Sequence, residues 1–242
     1  VAGCGWCGRL AGDWRCPSCG GAALRAVVVG SRRTAEELGR AFPGVPVRTS
    51  GRDEVLADVP AEPALVVCTP GAEPVAAGGY GAVLLLDGWA ALGRAELRAG
   101  EEALRRWAAA AALARPAGDG GRVVVVADRA LVPVQALVRW DPAGAAAREL
   151  AARTELRFPP AVRMAVVDGT PEQLADVVGE LVLPLGADLL GPVPRGAGER
   201  LLVRVPREQG PALASSLKAL TAGRSARKAE PVRVELDPAA LL

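Results

Sequence analysis

Four cysteines open the chain as two pairs, Cys4-x-x-Cys7 and Cys16-x-x-Cys19, with eight residues between the pairs. A CxxC turn puts two thiolates on one side of a tight loop, and two such turns facing each other complete a tetrahedron around zinc. Gly5 and Gly8 flank one pair and Pro17 and Gly20 the other, the residue types that such knuckles use to turn. Residues 1–22 are rich in glycine and poor in aliphatic side chains, so no ordinary core can hold them. Zinc contributes about 10–16 kcal/mol to the folding of small metal-held units, enough to order such a segment. A disulfide or a redox couple would use the same pairs, but no thioredoxin-like strand accompanies them. With four protein ligands no position stays open for water, so the expected zinc is structural. Cys68 stands alone in an apolar run and reads as a core thiol.

Other chemistry is excluded by what is missing. The chain has no histidine, which removes Ser-His-Asp and Cys-His catalysis and mixed Cys/His metal sites. Neither of its lysines, Lys218 and Lys228, follows a glycine, so there is no GxxxxGK[ST] phosphate loop. No GxGxxG lies between a strand and a helix. Ser31–Arg33 could meet an anion at a helix start, but reads as solvated surface. Asp87 and Asp128 close apolar runs without a partner constellation and read as turn or cap residues. No catalytic residue is assigned.

Those features sit on 242 residues, half of them apolar, with a net charge of +2. That is the balance of a soluble globular protein and only weak evidence for nucleic acid. Arginine, alanine, glycine and proline dominate, as high-G+C codon usage produces. No apolar run reaches the roughly 18 residues of a membrane span, and cysteine pairs suited to a metal fit a reducing cytoplasm. The start at Val1, close to a cysteine motif, reads as a piece of something longer.

After residue 22 the pattern changes. Short apolar runs at Ala26–Gly30, Val45–Thr49, Ala64–Cys68, Ala82–Leu86 and Arg122–Ala127 read as buried strands. Helical spacing covers Thr34–Phe42, with a Thr34/Glu37 capping box, a brief helix at Asp53–Val59, a long one at Arg94–Arg115, and Val134–Arg153 interrupted at Asp141-Pro142. Alternation of this kind predicts an α/β domain over 23–152, an open parallel sheet covered on both faces. Trp89, Trp107 and Trp140 read as core, whereas Trp6 and Trp14 pack on the metal knuckle or stack on bases. A second unit, 153–242, is predicted as a small α+β sandwich. Its elements are strand Val162–Val167, helix Pro171–Leu183, a turn at Leu190–Pro194, strand Arg200–Val205, helix Gln209–Leu220 and strand Val232–Leu236.

With the cysteine quartet come several ordered signposts. These are TAEELGRAFPGVPV at 34–47, Leu86-Asp87 followed by Glu96-Leu97-Arg98 and Glu101, Leu156-Arg-Phe-Pro-Pro160, Leu190-Gly-Pro-Val-Pro194 and Val234–Pro238. In that order they resemble the C-terminal half of the primosomal protein N′ (PriA) family, over the whole chain. The resemblance implies a zinc-binding cysteine insertion in the second lobe of an ATP-dependent DNA helicase, followed by a small C-terminal domain. It also implies DNA replication restart: abandoned or stalled forks recognised by structure, a primosome assembled and the replicative helicase reloaded. The partners it implies are forked or single-stranded DNA, primosome and helicase-loading proteins and single-stranded DNA-binding protein.

The family's G-T-Q-M-x-x-K-G segment falls on Cys68–Val75, where glutamine and lysine are gone. Its G-R-x-G-R segment falls on Ala112–Pro116, where Leu113 and Pro116 replace both arginines. Arginine fingers contribute about 10³–10⁵ in rate, so the chain is expected to be a helicase-shaped scaffold without a motor, as in the high-G+C actinobacterial branch. The alternatives are an active 3′–5′ helicase whose remaining motifs lie upstream, and a zinc-ribbon adaptor for proteins. Family members carry eight cysteines for two zincs. Cys4, Cys7, Cys16 and Cys19 therefore either close one site or share two with upstream cysteines. Arginines are needed for phosphates, and the candidates are Arg195, Arg200, Arg204, Arg207, Arg224, Arg227, Lys228 and Arg233.

Overall fold

The computed structural model describes residues 12, 14–22, 30–86, 88–94, 96–239 and 241. The expected strand at Ala26–Gly30, the cysteines Cys4 and Cys7, Trp6 and Asp87 therefore fall wholly or mostly outside the described residues. Two compact units divide at Pro142/Ala143.

In the first unit, helix α1 (Ser31–Ala41) is followed by strands β1 (Val47–Ser50), β2 (Asp58–Val59), β3 (Leu65–Cys68), β4 (Val75–Ala76) and β5 (Ala82–Leu85). Then come helices α2 (Gly88–Leu92) and α3 (Ala99–Ala111), strand β6 (Arg122–Val125) and helix α4 (Val132–Arg139). Every strand pairing here is parallel, but among the described residues the strands form separate pairs, β1–β3, β2–β4 and β5–β6. On one face of β5–β6 and its continuation, Leu84, Leu86, Val124 and Val126 are exposed, so among the described residues that face lacks the expected cover. Gly88 is required where it stands, because a Cβ there would lie 2.7 Å from the Ala127 side chain and 2.9 Å from the Val126 carbonyl.

Three helix expectations are corrected in this unit. No capping box forms at Thr34, because α1 begins a turn earlier. Thr34 Oγ1 donates back to the Gly30 carbonyl (3.4 Å), and Glu37 is taken by Arg33 (2.9 Å). Residues 53–57 are not helical, and 58–59 are strand instead. The long helix at 94–115 is the shorter α3, preceded by α2. Of the tryptophans expected in the core, Trp107 is buried, but Trp89 and Trp140 are about half exposed.

The second unit begins with helix α5 (Pro142–Leu156), a residue before the boundary. Strand β7 (Val162–Gly169), helix α6 (Pro171–Glu180), strands β8 (Asp188–Arg195) and β9 (Gly198–Pro206), helix α7 (Gly210–Ala226) and strand β10 (Arg233–Leu236) follow. The sheet is antiparallel in the order β10-β7-β9-β8. Strand–helix–strand–strand–helix–strand in that spatial order is the split βαβ arrangement of ferredoxin-like sandwiches. The expected turn at Leu190–Pro194 lies inside β8, which the simpler β-α-β-α-β reading lacked. Pro192 and Pro194 are tolerated because β8 is an edge strand.

Period-2 alternation builds both faces of this sheet. Ala165, Val167, Leu201, Val203 and Val205 face the helices and pack with Leu174, Val177, Leu213 and Leu217. Val162, Met164, Val166 and Leu202 face the other way, against Phe158, Leu190, Val193 and Leu241. Each fully buried side chain of this kind contributes about 1.5–3 kcal/mol. A capping box does form here. Thr170 Oγ1 accepts the Gln173 N–H, and Gln173 Oε1 accepts the Thr170 N–H (2.8 Å). Pro171 at the first helical position pins the start of α6, whereas nothing pins α1 at Thr34.

Candidate functional site

Around the second cysteine pair the backbone folds as a tight knuckle. The Gly20 N–H donates to the Cys16 carbonyl (2.8 Å) and the Cys16 N–H to the Gly21 carbonyl (2.9 Å), with Gly20 at φ +67°. Cys16 and Cys19 are free thiols. The backbone N–H of Ser18, and then that of Cys19, hold the Cys16 thiol below its ordinary pKa. Amides aimed at a sulfur favour the thiolate, which is the form that ligates metal. Among the described residues no group of three or more acidic, cysteine or histidine side chains gathers around one point. The other two members of the quartet, Cys4 and Cys7, lie outside those residues. Two of the four expected donors thus sit on one tight turn, with the Cys16 thiol biased toward thiolate.

At the C-terminal ends of β1 and β3, where parallel sheets place their sites, the chain is self-satisfied. Ser50 is buried, donates from Oγ to the Ala72 carbonyl (2.6 Å) and accepts the Leu56 N–H (3.0 Å). The Gly71 N–H, in a left-handed turn, is taken by both carboxylate oxygens of Glu73 (2.9 and 3.0 Å). Burial, with the nearby Glu73 charge, pushes the Cys68 thiol up to about 11, which leaves it protonated and unreactive. Arg115 turns its Nε to the Gly78 and Gly79 carbonyls (3.1 Å each).

The arginine candidates separate into two groups. Arg200 is 2% exposed and grips Asp168 with two parallel bonds (2.6 and 2.7 Å), while Nη1 donates to the Leu241 carbonyl. Arg224 is 4% exposed and lies among Glu180, Asp176 and the Glu230 carbonyl. Arg204 is held by Asp188 (2.8 Å) and by the Leu156 and Arg157 carbonyls. These guanidinium groups are committed to the fold. Arg195, Arg207, Arg227, Lys228 and Arg233 are exposed. Within that second group, Arg207 donates to the Pro160 carbonyl (2.8 Å), Arg227 pairs with Glu180 (2.7 Å) and Arg233 approaches Glu235 (3.5 Å). Arg195 and Arg233 come together near Asp168. Its carboxyl is held below the ordinary range, first by the Arg200 hydrogen bonds and further by the charges of Arg195 and Arg233.

Sequence reasoning missed Asp168, Ser50 and Glu73. The signal for Asp168 was present: it lies at even spacing from Val162, Met164 and Val166 on one face of β7, where a lone carboxylate demands a cation.

Comparison with known proteins follows the same division. The sequence profile described as "Primosomal protein N C-terminal domain" matches residues 154–239, within the second unit. The "Probable replication restart protein PriA" of Mycobacterium leprae (strain TN) is 57% identical over 249 residues, covering 97% of this chain and 38% of that protein. The protein of the same name from Mycobacterium tuberculosis (strain CDC 1551 / Oshkosh) is 52% identical over 256 residues, covering 97% of this chain and 39% of the relative. The chain therefore spans about two-fifths of the length of the curated relatives it matches. With a βαββαβ second unit and similarity running nearly end to end, the chain belongs to the PriA family, whose C-terminal region it represents.

Proposed function

We propose that this chain is the C-terminal part of a replication-restart protein that binds abandoned or stalled forks by their structure. It promotes primosome assembly and reloading of the replicative helicase, and it drives no helicase motor of its own. The similarity to relatives named for replication restart supports the first part of this reading.

The observation that carries the second part is the loop after β3. Where a phosphate-driven lobe needs a cation, Glu73 sets a carboxylate on the Gly71 amide. An amide already satisfied by an internal anion does not bind a phosphate, and the fixed negative charge repels one. Phosphate contacts to DNA would come from the exposed Arg195, Arg207, Arg227, Lys228 and Arg233. Such contacts are sequence-independent and weaken with salt. A structural zinc on Cys4, Cys7, Cys16 and Cys19 would order the segment before the α/β unit. The implied protein partners are helicase-loading and primosome proteins together with single-stranded DNA-binding protein, acting in the cytoplasm.

The test uses the full-length protein. Fluorescence anisotropy should give tighter binding to a forked duplex than to a blunt duplex of equal length, and DNA should not stimulate ATP hydrolysis. Equal affinities would sink the fork reading, and DNA-dependent ATP turnover would establish an active helicase in its place.

A further inference from the structure

Helix α4 turns Val134, Ala136 and Leu137 inward. Its other side carries Val132 and Val138, and just past its end stands Trp140, which is 58% exposed. The helix closes with the Asp141 N–H on the Ala136 carbonyl (2.8 Å) and the Trp140 N–H on the Leu137 carbonyl (3.0 Å). This is a Schellman closure, and Trp140 takes its left-handed position at φ 52°, ψ 43°, the place of glycine. The backbone bonds make the closure without any help from the indole. A residue that strains the backbone and leaves an indole in water is poorly explained by folding, and such outliers concentrate at binding sites. Arg139, the last helical residue, and Arg129, three residues before the helix, are both exposed, and neither has a carboxylate partner among the described residues.

From this arrangement we infer that Trp140 is a stacking platform for an unpaired base of single-stranded DNA, with the adjoining Arg139 meeting a neighbouring phosphate and Arg129, at the other end of the helix, open to the strand further along. An exposed flat ring next to an arginine without a carboxylate partner matches both things a single strand presents, a base face and a charged backbone. Duplex DNA keeps its base faces stacked and gains nothing from the ring. The inference rests on the DNA-binding reading above and assigns part of that interface to the first unit.

The experiment compares the intact protein with its W140F, W140L and W140G variants. Binding of labelled oligothymidylate and of a blunt duplex is measured by anisotropy, and thermal stability is recorded for each. W140G should bind oligothymidylate about five- to a hundredfold more weakly, with duplex affinity unchanged and Tm equal or higher, because glycine suits the left-handed position. W140F should retain the affinity. W140L keeps apolar bulk without a π face and should lose affinity like W140G, which keeps the test decisive if W140G proves less stable. Wild-type binding of oligothymidylate that W140G and W140L leave within about twofold would overturn the inference. Failure of the unmodified protein to bind any DNA would instead overturn the proposed function.

Discussion

Arg200 and Asp168 face each other across neighbouring strands of the C-terminal sheet, joined by two hydrogen bonds of 2.6 and 2.7 Å. Their positions are paired in the β7–β9 register, and the same transverse row continues to Val193 on β8 and Arg233 on β10. The guanidinium is enclosed while the carboxylate keeps partial access to water. Removing the acid leaves a buried cation without its partner, which is costlier than losing the pair outright. Asp168→Ala should therefore destabilise the second unit by about 2–4 kcal/mol, somewhat below a fully buried pair. Urea unfolding of wild type and variant measures it, and a loss under about 0.5 kcal/mol, the ordinary surface value, would show that the pair is ornamental.

The same pair sets a pH dependence. Asp168 is held below its ordinary pKa by the Arg200 hydrogen bonds, so the folded state favours its ionised form. Its contribution is complete above the unfolded carboxylate range near about 4 and is lost as pH falls through the lower folded value. Asp168→Asn mimics the protonated acid. The gap in Tm between wild type and this variant should be widest near neutrality and should close as pH falls below about 4. A gap independent of pH would mean that the ion pair is not its source.

Why the arginine candidates divided as they did was not legible in the sequence. Arg200 and Arg204 alternate with Leu202 on one face of β9, and a guanidinium at such a position can end in water or in a carboxylate contributed from elsewhere. Asp168 is 32 positions from Arg200 and Asp188 is 16 from Arg204, and only the strand register brings them together. The apolar runs at 65–68, 82–85, 122–125 and 162–167 were legible because β-branched and leucine residues cluster there without turn residues. β8 was not, because Gly191-Pro192 and Pro194 write a turn, and only an edge position lets them belong to a strand. The exposure of Trp140 was equally hidden, since an indole among apolar residues reads as core until its helix ends.

Ser50 gives a test of the first unit. Its hydroxyl joins the ends of β1 and β4's preceding loop, donating to Ala72 and accepting from Leu56 in a buried setting. Ser50→Ala leaves the Leu56 N–H and the Ala72 carbonyl without that partner, at a cost of about 1–3 kcal/mol. Ser50→Thr should not rescue it, because an added methyl meets packed neighbours. Hydrogen exchange of the Leu56 amide is the direct readout: it should accelerate in Ser50→Ala, and unchanged protection would show that another group satisfies it.

The zinc proposal carries the remaining prediction. In the described half of the quartet, amides already point at Cys16 and lower its thiol pKa, so proton release on metal binding is easier there than at an ordinary cysteine. Changing Cys16 and Cys19 together to serine in the full-length protein should remove zinc from each chain, measured by elemental analysis after gel filtration. Because the segment has little apolar surface of its own, losing the metal should raise its protease sensitivity around Trp14. The second unit, held by its two-faced apolar core, should keep its Tm. Unchanged zinc content in the double variant would remove these two cysteines from the metal site. Loss of zinc with unaltered protease resistance would show instead that the metal is bound but holds nothing in place.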